Sequence, residues 1–252
     1  MLRSVFIFLK KNTFSFRGLA VIVAIPLIIM TSQLSGIMEN WESELYTGYS
    51  LSVVQFGLVD RSMLLLFPVL CVLPGAASYL EDRKSGVYRA ILSRTDRRSY
   101  VLGKSLACGL SGGFVVAAGI LLSCLLSFAV FGSRSMGWDW EEVLPELKEL
   151  GSLTGLYFLS GFFWSLFGML LSLFTKSRYI ACLSPFAAYY ILQMLQQRYF
   201  KKVKLINPES WIVPFRYGFW EMDGAIAATV GGLCVFLLII LYYACRRDLK
   251  DA

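Results

Sequence analysis

Apolar residues gather into six long runs along this chain, at 19–38, 62–80, 105–131, 152–175, 179–197 and 224–244. Each approaches or exceeds the roughly 20 residues that a helix needs to cross about 30 Å of hydrocarbon. No strand-like alternation runs through them, so a β-barrel is not expected. The pattern predicts an all-α, polytopic membrane protein with six transmembrane helices. Ahead of the first run, Leu2, Val5, Phe6 and Leu9 fall on one helical face, with Arg3 and Lys10 to its side. That is the pattern of a helix lying in the membrane interface. The chain thus divides into an amphipathic interfacial helix at 1–18 and a six-helix transmembrane domain at 19–252. The basic start could pass for a signal peptide, but the apolar core after it is too long and no A-x-A site follows. The first run is therefore expected to remain as the first helix.

The runs carry their own punctuation. Pro26, Pro68, Pro74 and Pro185 predict kinks, which neighbouring helices in a membrane can satisfy. Gly109, Gly113 and Ala117 in the third run, and Gly224, Ala228 and Gly232 in the sixth, are spaced for close helix contacts, within one protomer or between two. Of the loops expected outside, 132–151 carries Trp138 and Trp140 for the lipid boundary and Asp139 to cap a short external helix. The other, 198–223, is too aromatic for a solvated loop. Trp211, Phe215, Tyr217, Phe219 and Trp220 predict short helices dipping into the interface, with Glu221 and Asp223 as solvated caps. Asp60 and Arg61, at the head of the second run, read as an external salt pair.

Charge sets the orientation. With both termini in the cytoplasm, the inside segments hold 16 of the 24 basic residues and 5 of the 17 acidic ones, leaving 8 and 12 outside. Seven of the inside basic residues lie in the single loop 80–104. The positive-inside rule then favours this N-in, C-in arrangement. Arg198, Lys201, Lys202, Lys204 and Arg216 stand against the trend, ahead of the last run. Composition agrees with a membrane chain: 57% of residues are hydrophobic and 16% charged, against about 25% charged in ordinary soluble domains. The net charge of +7 fits cytoplasmic anchoring to anionic headgroups better than nucleic acid, since no basic module stands free of the membrane.

Several chemistries drop out. The chain has no histidine, which removes His-based triads and His-ligated metals. The six cysteines lie in or beside apolar runs without a CxxC pair, and read as packing residues. Gly103-Lys104-Ser105 ends like a phosphate-binding loop, but Arg98 stands where that motif needs its first glycine. No nucleotide-binding loop is expected.

Two polar features remain. Tyr189, Gln193 and Gln196 or Gln197 share one face of the fifth run. Such residues either bond to neighbouring helices or line a substrate route. In the loop 80–104, Leu80, Val87 and Ile91 share a helical face among Glu81, Asp82, Arg83, Lys84, Arg89 and Arg94, with Gly86 breaking the first turn. That predicts a short amphipathic helix at the membrane surface. It either anchors to headgroups or docks a partner.

The succession Glu81, Ser85-Gly86, Ile91-Leu92, Arg97, Tyr100 and Gly103-Lys104, after a second span and opening a third, resembles the permease subunits of ABC-2 type ATP-binding-cassette transporters. The resemblance extends to the amphipathic first helix, the six spans with both ends inside, and the aromatic segment before the last span. Val87 stands where the family often has Thr, and Arg94-Thr95-Asp96 where a Pro is common.

The resemblance implies that loop 80–104 is a coupling helix seated in a cleft of a separate ATPase subunit, with Glu81, Gly86, Arg89, Ile91, Arg94 and Lys104 as its working residues. ATP and Mg would be bound by that partner, and this chain would hold no cofactor or metal. A second permease copy or paralogue and membrane lipids are the other partners implied. Tyr189, Gln193 and Gln197 would line the path of an amphiphilic substrate (a drug, peptide or lipid-like molecule) leaving a bacterial cytoplasmic membrane. A membrane-embedded enzyme and a non-transporting sensor or anchor subunit are the competing expectations.

Overall fold

The computed structural model describes residues 2–39, 48–93, 95–132, 140–219 and 222–248. Every regular element among them is helical. In order these are α1 (Leu2–Thr13), α2 (Phe16–Ser32), α3 (Leu34–Glu39), α4 (Tyr49–Val59), α5 (Arg61–Val72), α6 (Ser78–Lys84), α7 (Val87–Leu92), α8 (Arg97–Phe131), α9 (Trp140–Thr175), α10 (Arg178–Arg198) and α11 (Asp223–Asp248). Three short 3₁₀ turns, Lys204–Ile206, Pro208–Trp211 and Pro214–Tyr217, join the last two helices.

Among the described residues, three helices are long and apolar enough to cross a membrane: Arg97–Phe131, Val143–Thr175 and Asp223–Arg247. They correspond to the third, fourth and sixth apolar runs. Two bent pairs bring the number to five if each counts as one span: Val5–Thr13 with Phe16–Ser32, bent by 58°, and Tyr49–Val59 with Arg61–Val72, bent by 72°. The fifth run forms α10, 21 residues long, but its glutamines and terminal arginines leave it outside that apolar set.

The second crossing departs from the sequence reading. The expected run 62–80 is not one helix, because α5 ends at Val72 and the chain turns through Pro74 and Gly75 before α6. The helix that pairs with α5 across the 72° bend is α4, read from sequence as part of a loop. Asp60 separates the two, with extended backbone (φ −64, ψ 147) and a carboxylate that accepts the Ser62 amide at 2.8 Å. It is an N-cap and not the salt-bridge partner of Arg61. The pair descends along α9: Ser52 donates to Glu146 near the start of that helix, Tyr157 donates to the Leu58 carbonyl half-way along it, and Val72 lies against Gly168.

α8 and α9 form the spine. They cross through small residues: a Cβ placed on Gly112 would lie 2.7 Å from the Cys71 carbonyl oxygen and 2.8 Å from that of Gly161, and Gly109 and Gly113 face the rings of Phe162 and Phe158. The small residues of the third run therefore work within the protomer. Gly224, Gly231 and Gly232 on α11 have nothing within 4 Å of an added Cβ. Gly112→Val is accordingly expected to lower the melting temperature of the detergent-purified protein by several degrees or abolish its recovery, whereas Gly224→Ala leaves it unchanged. Equal melting curves for the two would contradict the crossing.

α9 also begins earlier than expected. The short external helix and the fourth span are one 36-residue helix, with Pro145 in its second turn. Proline there removes only one backbone bond near an open helix end. Trp138, Asp139, Trp220 and Glu221 lie outside the described residues, while Asp223 opens α11 and accepts the Ser152 hydroxyl. The aromatic segment 204–217 packs onto the bundle through part of its length. Trp211, Ile212 and Val213 are buried in the main core beside Trp164.

Candidate functional site

Two polar constellations sit at different levels of the bundle. The first is the root of loop 80–104. Lys104 falls on the third turn of α8, where its side chain is wholly buried. Its ammonium is bound to Asp82 of α6, itself 3% exposed. An unpaired ion at such a site would cost several kcal/mol, so the pair forms because neither residue can be buried alone. α1 closes over it. Lys11 reaches the other Asp82 oxygen at 3.0 Å, and the Phe8 ring lies 4.7 Å from the Lys104 nitrogen, edge-on to Tyr100. At the mouth, Arg17 of α2 pairs with Glu81 at 2.8 Å. One buried carboxylate thus ties together α1, α6 and α8.

This corrects the face expected for α1. Val5, Phe8 and Leu9 pack towards α8 with Asn12 buried beside them, while Phe6 and Ile7 point outward. Val5 and Leu9 keep the face expected from sequence, but Phe8 and Asn12 join it in place of Phe6. The bend between α1 and α2 depends on Gly18, where a Cβ would lie 2.2 Å from the Thr13 carbonyl oxygen.

Beyond the root, the loop is not the single amphipathic helix that sequence predicts. Gly86 adopts φ +73, a left-handed conformation that costs any L-residue free energy and suits glycine. It splits the segment into α6 and α7. Leu80 is consequently buried in the root, while Val87 is 44% exposed and no residue of α7 is fully buried. Ile91 packs part of its surface on the core. Arg89 lies over the Tyr88 ring and donates from Nε to its hydroxyl at 3.1 Å. Of the six residues expected to couple, Gly86, Arg89 and Ile91 belong to the projecting part and Glu81 to its edge. Lys104 is not on the surface at all, and Arg94 lies outside the described residues.

The second constellation is a cavity of about 450 Å³ between α5, α10 and the 3₁₀ turns. Tyr189, Gln193 and Gln197 all line it, as their common helical face requires. Arg61, Glu209 and Arg216, which sequence did not connect to them, complete the wall. Glu209 is the hub. It accepts Gln193 Nε2 at 3.1 Å, Arg216 Nη1 at 3.0 Å and the Tyr217 hydroxyl at 2.8 Å. The second Arg216 nitrogen donates to the Val59 carbonyl at 2.9 Å, fastening the 3₁₀ turns to the kink between α4 and α5. Burial, and then the Glu209 carboxylate, push the Tyr217 phenol upward, so it remains a donor at physiological pH. No charged residue in this wall announced its partners by spacing, because Arg61 comes from α5 and Glu209 and Arg216 from successive 3₁₀ turns.

Residues 18–249 match the family described as "Protein of unknown function (DUF2705)". The chain belongs to the DUF2705 family. The match runs from the third residue of α2 to just past the end of α11, so both constellations of this DUF2705 protein lie within the family region, apart from Arg17 and the α1 residues that close over Asp82. No curated protein and no solved structure matches the chain. Among the described residues no group of three or more His, Cys, Asp or Glu side chains could hold a metal ion.

Proposed function

We propose that this protein is the membrane-spanning subunit of an ABC-2 type exporter, driven by a separate ATP-binding-cassette ATPase. In this reading six segments cross the bacterial cytoplasmic membrane. α10 supplies the polar, cavity-lining crossing, both termini and the α6–α7 loop face the cytoplasm, and two such permeases stand together. The cargo is amphiphilic.

One observation carries the reading: α7 lies at the surface with no residue fully buried, on a root that is clamped internally. A headgroup anchor needs basic side chains and no rigid base. A lever does need one, because a partner that moves α7 can shift the spans only if α6 and α8 move with it. The Asp82–Lys104 pair joins those two helices, and Lys11 adds α1. ATPase docking at α7 would then displace three helices as one body, the kind of shear or rigid-body change that switches bundles. The polar cavity lies along the same chain path, since α5 leads from Arg61 to the turn that precedes α6.

Co-expression with a separately encoded ATP-binding-cassette ATPase tests this. The two chains are expected to purify together, and the complex to hydrolyse ATP at a rate altered by amphiphilic substrates. A chain that never retains such an ATPase, or that turns over a substrate alone without nucleotide, would contradict it.

A further inference from the structure

The cavity can be read more closely. Glu209 and Arg216 neutralise each other through their 3.0 Å ion pair, which leaves the Arg61 guanidinium as the uncompensated charge of the wall. Arg61 has no ion-pair partner among the described residues and is exposed at the cavity. Deeper in, Tyr189 is 2% exposed, and its hydroxyl has no hydrogen-bond partner. A buried unsatisfied hydroxyl costs free energy that a ligand atom would recover. Gln197 stands exposed at the rim. Beside it α10 presents Ile191 and Met194, both more than half exposed, and Leu65 adds an apolar wall on the α5 side. The volume falls within the range of about 300–1,000 Å³ typical of small-molecule sites.

We propose that this cavity binds the anionic head of an amphiphile. The negative charge sits on Arg61, polar head atoms reach the Tyr189 hydroxyl and the Gln193 and Gln197 amides, and the tail leaves along the apolar face of α10. A cation is disfavoured because the wall carries one net positive charge. A wholly apolar ligand would leave Arg61 and Tyr189 unsatisfied. A free anion would leave the Ile191 and Met194 strip unused. The proposal rests on the substrate-path reading of α10 and names the class of molecule it would accept. It concerns binding and needs neither nucleotide nor ATPase, so its failure and the failure of ATPase coupling are separately visible.

The test uses the full chain in an uncharged detergent, with saturable quenching of tryptophan fluorescence as readout. Trp164 lies 5.7 Å from the ring of the cavity-lining Tyr189 and Trp211 stacks on Trp164, so both indoles report on changes around that side chain. Short-chain phosphatidylglycerol is expected to bind saturably. Phosphatidylcholine with the same tails, and inorganic phosphate, are expected to bind at least tenfold more weakly. Arg61→Glu should weaken phosphatidylglycerol binding tenfold or more, and Tyr189→Phe about threefold, with the melting temperature of each variant held as a control on folding. Equal binding of the two lipids, phosphate binding as tight as the anionic lipid, or full affinity in both folded variants would each overturn the proposal.

Discussion

Asp82→Leu, which leaves the Lys104 ammonium buried without a carboxylate, is expected to cost on the order of 3–5 kcal/mol, a large share of the stability of an ordinary domain, and so to lower the melting temperature sharply. Lys104→Met should be milder, because Lys11 still faces Asp82 at 3.0 Å from a largely solvated position. The double variant Asp82→Leu/Lys104→Met removes both charges at once. It should recover most of the stability lost by Asp82→Leu alone, as apolar replacements of buried pairs commonly do. Thermal unfolding of the four proteins in one detergent measures the cycle. If Asp82→Leu and the double variant melt together, the pair is not coupled and the root of the loop is held by something else. A recovered double variant has a second use. If it is stable yet inactive with its ATPase, the pair transmits motion as well as stabilising the fold.

The second large effect concerns α7. Val87→Asp combined with Arg89→Glu reverses charge and inserts a carboxylate on a helix with no fully buried residue. Stability should therefore change by less than about 0.5 kcal/mol. Affinity for the ATPase should fall tenfold or more, since losing about 1.4 kcal/mol at a docking surface is tenfold in Kd. Binding by the purified variant is the measurement. If ATPase affinity is unchanged while association with anionic vesicles is lost, α7 is a lipid anchor and the docking reading falls.

Much of this architecture was legible in the sequence, and the exceptions have physical causes. α8, α9 and α11 follow from uninterrupted apolar runs longer than a bilayer is thick. α4 escaped because an apolar stretch of 11 residues cannot span alone and gains its place only through the kink at Asp60. The loop 80–104 was visible as a basic segment, but its periodicity misled. A single glycine in the left-handed region turned Leu80 inward and Val87 outward. Lys104 did carry a signal of another kind. A lysine opening an apolar run calls for a nearby carboxylate, but the sequence reading paired Lys104 with none, because Asp82 stands 22 residues earlier on another helix. The shared face of Tyr189, Gln193 and Gln197 was readable from one helix. Arg61, Glu209 and Arg216 were not, because their meeting depends on how the 3₁₀ turns fold back onto the kink between α4 and α5.

The central claim is that α7 is a cytoplasmic grip for a nucleotide-driven motor. It is tested most directly by a cysteine placed at the exposed Ala90 of a variant with its six native cysteines replaced. The account predicts no reaction with a membrane-impermeant maleimide in intact cells, ready labelling in inverted vesicles, and protection there when the ATPase is bound. Labelling of intact cells from outside would contradict it.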